Sequence, residues 1–187
     1  MDAADTSERR ADSAFPRGVR LAVDVGMVRV GMAVCDADGI LPTPLRTLSR
    51  DTKRDSDVTV VAREALERSA VEVYVGLPRL LSGKEGPSAE MARAFAERLA
   101  AALAAAGTDC TVRLVDERFT TVEAHRSLHS AGLSSREHRK VVDQAAAVGI
   151  LQHALDLLRG RGTAGVAVAV PRPTTGGVRA DDPDTRG

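Results

Sequence analysis

Leu21-Ala22-Val23-Asp24-Val25-Gly26-Met27-Val28-Arg29-Val30-Gly31-Met32-Ala33-Val34 reads as strand, tight turn, strand. The stretch is apolar almost throughout, and Gly26 and Gly31 bracket the turn and the start of the second strand. Asp24 interrupts the first apolar run. A carboxylate in that place is costly to bury unless it is hydrogen-bonded, paired or bound to a cation. The rest of the chain has to supply its partner.

Downstream of the hairpin, Asp36-Ala37-Asp38-Gly39 has the composition of a second hairpin turn. Ile40 to Leu48 forms a third strand, and Pro42 and Pro44 mark it as an edge or irregular one. The period then changes. Val58, Val61, Ala62, Ala65 and Leu66 fall at helical spacing within Asp51 to Ser69. Val71 to Gly76 is a fourth strand. Ser88 to Ala106 is an alanine-rich helix with Met91, Phe95 and Leu99 on one face, stopped by Gly107. Thr111 to Val115 is a fifth strand. Thr120 and Glu123 fit a capping box for a helix to about Ser130, and a last helix runs from about Arg139 to Arg159. A meander followed by strand-helix-strand crossovers predicts an α/β fold with a mixed five-stranded sheet, antiparallel meander plus parallel strands, and helices on both faces.

The 187 residues, 43% apolar and 28% charged, suit one soluble domain with a real core. Residues 1–17 are polar and charged and are expected to be a disordered segment, 18–159 the folded domain, and 160–187 a disordered tail. Val166 to Val170 is an apolar exception with no place in this scheme. Twenty-six basic residues balance 26 acidic ones, so any nucleic-acid surface must be local. Cys35 and Cys110 lack metal or redox spacing and read as buried thiols. No stretch has the apolar length of a signal-peptide core or a membrane span, so no membrane partner and a cytoplasmic location are expected.

Two places in the chain can answer Asp24. Right-handed crossovers set the first, fourth and fifth strands side by side and parallel, which brings the pair Asp116-Glu117 towards Asp24. In the last helix, Asp143 shares a face with Ala146, Ala147, Ile150 and Ala154 and so points inward. Three inward carboxylates repel one another, and a hard divalent cation such as Mg²⁺ removes that cost. Such a site suits phosphodiester hydrolysis. Taken singly, each acid has a plainer role. Asp24 can serve the turn through the Gly26 backbone. Asp143 can favour a helix start. Glu117 can be a surface acid.

Four stretches in order carry a resemblance: Val23-Asp24-Val25-Gly26 with Arg29 and Gly31, Val75-Gly76-Leu77-Pro78 with Gly83, Val115-Asp116-Glu117-Arg118-Phe119-Thr120-Thr121, and Val142-Asp143-Gln144-Ala145-Ala146. Over about Gly18 to Arg159 the chain resembles the YqgF (RuvX) family of bacterial RNase H-like proteins. The resemblance implies an RNase H-like nuclease domain, with Asp24, Glu117 and Asp143 as the catalytic acids holding Mg²⁺ or Mn²⁺. It implies precursor ribosomal RNA as substrate, at the 5′ end of 16S rRNA during ribosome biogenesis, with four-way (Holliday) junction DNA as the alternative. The chain departs from many relatives at Met27-Val28, where they carry a Lys before the arginine, and at Arg79-Leu80-Leu81-Ser82, where they carry Asn-Met. Both departures fall in loops beside the proposed site.

Arg118, Arg126, Arg136, Arg139 and Lys140 make that neighbourhood locally basic. Arg29, Arg118, Arg136 and Lys140 are the candidate phosphate contacts. One Tyr and three Phe are too few for base stacking to dominate. Two other functions compete. A kinase or ATPase of the actin type also opens on an Asp-x-Gly hairpin but needs a second such hairpin, which is missing here. A non-catalytic RNA-binding assembly module would have no use for the acid set. A homodimer is the candidate assembly.

Overall fold

The computed structural model describes residues 15–79, 85–117 and 136–170, with only the backbone over 136–141. The strands are β1 (Arg20–Val25), β2 (Arg29–Cys35), β3 (Thr43–Ser49), β4 (Glu72–Leu77), β5 (Thr111–Asp116) and β6 (Val166–Ala167). The helices are α1 (Ser56–Glu67), α2 (Pro87–Ala105) and α3 (Arg136–Arg161). The sheet order is β3-β2-β1-β4-β5-β6. β1, β2 and β3 pair antiparallel, whereas β4 runs parallel to both β1 and β5. This is the mixed sheet that the sequence and the RNase H-like resemblance predict, with a correction to the strand count. Residues 160–170 do not begin a tail: α3 runs to Arg161, Ala164 is buried, and Val166 and Ala167 pair with Leu114 and Arg113 on the edge of β5. The proline-marked third strand is an edge strand and is irregular, because its register on β2 shifts between Met32 and Ala33.

Strand alternation sends apolar residues to both faces, as a sheet covered twice requires. One face carries Leu21, Val23, Val30, Met32, Val73, Val75, Val112 and Leu114, covered by α1 and α2. Helix α2 buries Ala89, Ala92, Phe95, Ala96, Leu99 and Leu103, a stripe at helical spacing, with Pro87 in its first turn, where a missing N–H costs nothing. Gly107 closes it at φ 71°, in the left-handed region where a side chain would be strained. The other face carries Ala22, Ala33, Tyr74 and Val115, covered by Ala147, Ile150, Leu151, Ala154 and Leu155 of α3. Small side chains on the middle strands let α3 lie close. The prediction that the last helix begins near Arg139 is corrected by one turn: it begins at Arg136, so Asp143 sits in its third turn and is not a helix-start acid.

A polar row crosses the α3 face at the end of the sheet where β1, β4 and β5 begin. Arg20, 2% exposed, donates from Nε to Glu72 Oε2 at 2.9 Å. Arg113 donates to Glu72 Oε1 at 2.7 Å and the Tyr74 hydroxyl to Oε2 at 2.6 Å. Arg20 also donates to the carbonyls of Gly18 and Pro16 and lies over the Phe15 ring, so residues 15–18 are packed rather than loose. Burial alone would raise the Glu72 pKa, but the Tyr74 hydroxyl and the two guanidiniums outweigh it and hold the carboxyl below its ordinary 4.5. Burial, and then the Glu72 carboxylate, push the Tyr74 phenol up. A lowered folded-state pKa means stability that is present above the unfolded value and lost as pH falls through the folded one. Glu72→Gln is therefore expected to cost about 2 kcal/mol near neutral pH. Urea unfolding should show the gap to wild type closing as pH falls below the ordinary carboxylate range.

Cys35 is buried and Cys110 half-buried, and both are free thiols. Burial raises both thiol pKa values, that of Cys110 to about 11, which suits inert structural cysteines.

Candidate active site

Asp24 lies on β1 with the side-chain parity of Ala22, so it faces α3. It is only 5% exposed. Across the turn the Gly26 amide donates to the Arg29 carbonyl at 2.8 Å. Asp24 pairs with Gly31 on β2. On β4, Val75 is opposite Val23, and the next residue along the parallel register is Gly76. Asp24 thus has a glycine beside it on each neighbouring strand.

Each glycine makes room for one of the other acids. A Cβ on Gly31 would run into the backbone carbonyl of Asp143 and lie 3.1 Å from its Cβ. A Cβ on Gly76 would take the place of Glu117 Oε1 and meet Ile150 Cδ1 at 2.5 Å. Glycine inside a strand is unfavourable for the strand itself and often marks such a close approach. The two positions were visible in the sequence as motif glycines. Their role as space for the acids needs the sheet register.

The alternation of β5 separates Asp116 from Glu117. Val112, Leu114 and Asp116 face α1 and α2; Arg113, Val115 and Glu117 face α3. Asp116 stands 3.7 Å from the Arg79 guanidinium, which also pairs with Glu85 at 3.3 Å. Glu117 turns to the other side, is 3% exposed, and its amide donates to the Leu77 carbonyl at 3.2 Å, extending the β4–β5 ladder by one step. Asp143 is held by the Arg29 guanidinium, an ion pair that spans the hairpin and α3. Arg29 thus counters the least buried of the three acids.

The structure therefore brings Asp24, Glu117, Asp143 and Arg29 to one end of one face of the sheet. Arg118 lies outside the described residues, as do the side chains of Arg136 and Lys140, whose backbones belong to the first turns of α3. The capping-box helix at Thr120 also lies outside them.

Two almost fully buried carboxylates beside one glycine are costly to ionise together, and a shared cation relieves that cost. All three acids offer hard oxygen donors, the set that Mg²⁺ and Mn²⁺ take. Among the described residues no three His, Cys, Asp or Glu side chains are gathered closely enough to hold an ion as they stand. Asp143 turns its Oδ2 to Arg29 instead. The donor chemistry and the glycine-made space fit a hard cation. Among the described residues no helix is long and apolar enough to cross a membrane.

Comparison with known proteins agrees with the order of these motifs. The RuvX family model, described as Holliday junction resolvase, matches residues 18–157. A Kineococcus radiotolerans protein named "Putative pre-16S rRNA nuclease" is 51% identical over 155 residues, covering 83% of this chain and 80% of its own. A Mycobacteroides abscessus protein of the same name is 50% identical over 163 residues, covering 87% of this chain and 96% of its own. Among solved structures, T. thermophilus RuvC in complex with Holliday junction substrate is 15% identical, with a TM-score of 0.48 over 80% of this chain and 99% of that one. The family model takes in every described part of the acid site, and the chain belongs to the RuvX family.

Proposed function

We propose that this chain is a divalent-metal-dependent nuclease that processes precursor 16S rRNA in the cytoplasm. The observation that carries the reading is the pair of glycines flanking Asp24, each giving its side-chain space to another acid. Two buried carboxylates with a third, half-buried one across from them are expensive, and their use lies in holding a cation. The names of relatives about half identical to this chain support RNA as the substrate.

Asp24, Glu117 and Asp143 would hold Mg²⁺ or Mn²⁺. When bound, such an ion activates water and stabilises the leaving oxygen of a phosphodiester. The chain's own residues do the rest. Rigid strands fix Asp24 and Glu117, so neither acid needs to reorganise on binding. Asp143 comes from the helix and is the acid that can exchange its arginine. Once released, Arg29 presents a guanidinium fork suited to a phosphate oxygen pair at the rim of the site. Arg118, Arg136 and Lys140 are assigned to backbone phosphates of the substrate.

The family description names a junction resolvase, so the test needs both substrates. Wild-type protein is incubated with a precursor 16S rRNA fragment and, separately, a four-way DNA junction, with Mg²⁺, with Mn²⁺ and with chelator. The expected result is metal-dependent cleavage of the RNA that chelator stops. Cleavage of the junction alone would replace the RNA reading. Tight RNA binding without cleavage in any metal would favour a non-catalytic assembly module.

A further inference from the structure

The end of the sheet that holds the acids also carries an apolar tip and two cations. Met27 and Val28, at the β1–β2 turn, are 84% and 68% exposed. The Arg50 amide donates to the Val28 carbonyl at 2.9 Å, tying the tip to the chain that leaves β3. That chain turns at once. The Asp51 carboxylate accepts from the amides of Lys53 and Arg54 at 3.2 and 3.1 Å and from the Ser56 hydroxyl at 2.7 Å, which fixes the turn. Lys53 and Arg54 are exposed. Their neighbours are spoken for: Arg46 and Arg68 pair with Glu64, Arg50 with Asp57, Arg63 with Glu67. Among the described residues no carboxylate forms a close ion pair with Lys53 or Arg54, although the Asp51 carboxylate at the base of the turn feels the Arg54 charge.

We propose that the Met27–Val28 tip and the Lys53–Arg54 turn form one surface for the nucleic-acid strand that leaves the acid site. Lys53 and Arg54 take its backbone phosphates, and Met27 and Val28 pack against an unstacked base. The proposal rests on the nuclease reading. Three residue steps lead from Asp24 to Met27, about 10 Å at strand rise, or roughly three phosphates of a stacked strand. Apolar side chains of this kind serve as wedges between bases. Among the described residues the aromatics are not available for stacking here: Tyr74 and Phe95 are buried, and Phe15 lies under Arg20. Two exposed cations beside an apolar tip match the alternation of phosphate and base along a strand.

The test uses the full chain carrying Asp24→Asn, so that binding is read without cleavage. A fluorescent single-stranded precursor rRNA fragment is titrated by anisotropy from about 50 to 200 mM salt. Lys53→Ser with Arg54→Ser should flatten the slope of log affinity against log salt by about 1.4, two contacts at about 0.7 each. Met27→Ser with Val28→Ser should leave the slope unchanged but abolish the fluorescence rise of a 2-aminopurine placed three to four nucleotides from the cleavage position. An unchanged slope in the first variant overturns the phosphate contacts, and an unchanged 2-aminopurine signal in the second overturns the base contact. Wild-type cleavage is assayed alongside. If wild type cleaves but both variants bind as the parent does, the surface is wrong and the nuclease reading stands. If wild type cleaves nothing while the slope still flattens, the nuclease reading is wrong and the surface stands.

Discussion

Asp24→Asn is expected to lower metal-dependent cleavage by more than about a hundredfold, beyond the 10- to 100-fold loss typical of groups one step removed from a metal. The protein should stay folded, with a melting temperature at or above that of wild type. The two halves of this expectation come from one cause. Asp24 is 5% exposed and lies beside the glycine position that Glu117 fills, so two buried carboxylates burden each other and a shared cation relieves that cost. Asparagine keeps the shape and removes the charge. Sites that hold such charges trade stability for function. Cleavage and thermal unfolding on the same preparation check both halves. A variant that cleaves like wild type removes Asp24 from the site. A variant that melts well below wild type makes Asp24 a structural acid.

The second large effect concerns the glycines, and it separates two kinds of crowding. Gly31→Ala drives a Cβ into the backbone carbonyl of Asp143. A helix backbone cannot swing aside, so α3 must shift on the sheet. The expected loss is about 3 kcal/mol, the upper end of the overpacking range, together with loss of cleavage. Gly76→Ala meets only side-chain atoms, Glu117 Oε1 and Ile150 Cδ1. Those can rotate away, so stability should fall by about 1 kcal/mol. The Glu117 carboxylate is nonetheless displaced, and cleavage should fall as far as in Asp24→Asn. Denaturant unfolding and the cleavage assay together read the contrast. Equal stability losses, or full activity in Gly76→Ala, would mean that the glycines do not make room for the acids.

Much of this was legible before the structure, and the residues show why. Asp24 stood out because it interrupts a continuous apolar run, Leu21 to Val25, of the kind a strand buried on both faces shows. Asp143 could be placed on the inward face because helical spacing linked it to Ala146, Ala147 and Ile150, all of them buried. Asp116 and Glu117 could not be told apart. Both faces of β5 carry apolar residues, so parity alone does not say which face meets α3. The Arg29–Asp143 pair joins residues 114 positions apart and left no local signal. The same holds for the row of Arg20, Glu72 and Arg113, whose members lie on three strands. Strand β6 was missed for another reason. Two residues cannot show a period, and only their pairing with Arg113 and Leu114 makes them a strand.

The central claim is that Asp24, Glu117 and Asp143 share one cation while Asp116, one residue from Glu117, takes no part. Electron paramagnetic resonance of bound Mn²⁺ tests it without any nucleic acid. Wild type and Asp116→Asn should bind Mn²⁺ alike, because Asp116 lies across the sheet beside Arg79. Asp24→Asn and Glu117→Gln should each lose the bound signal. A signal lost in Asp116→Asn and kept in Glu117→Gln would contradict the account.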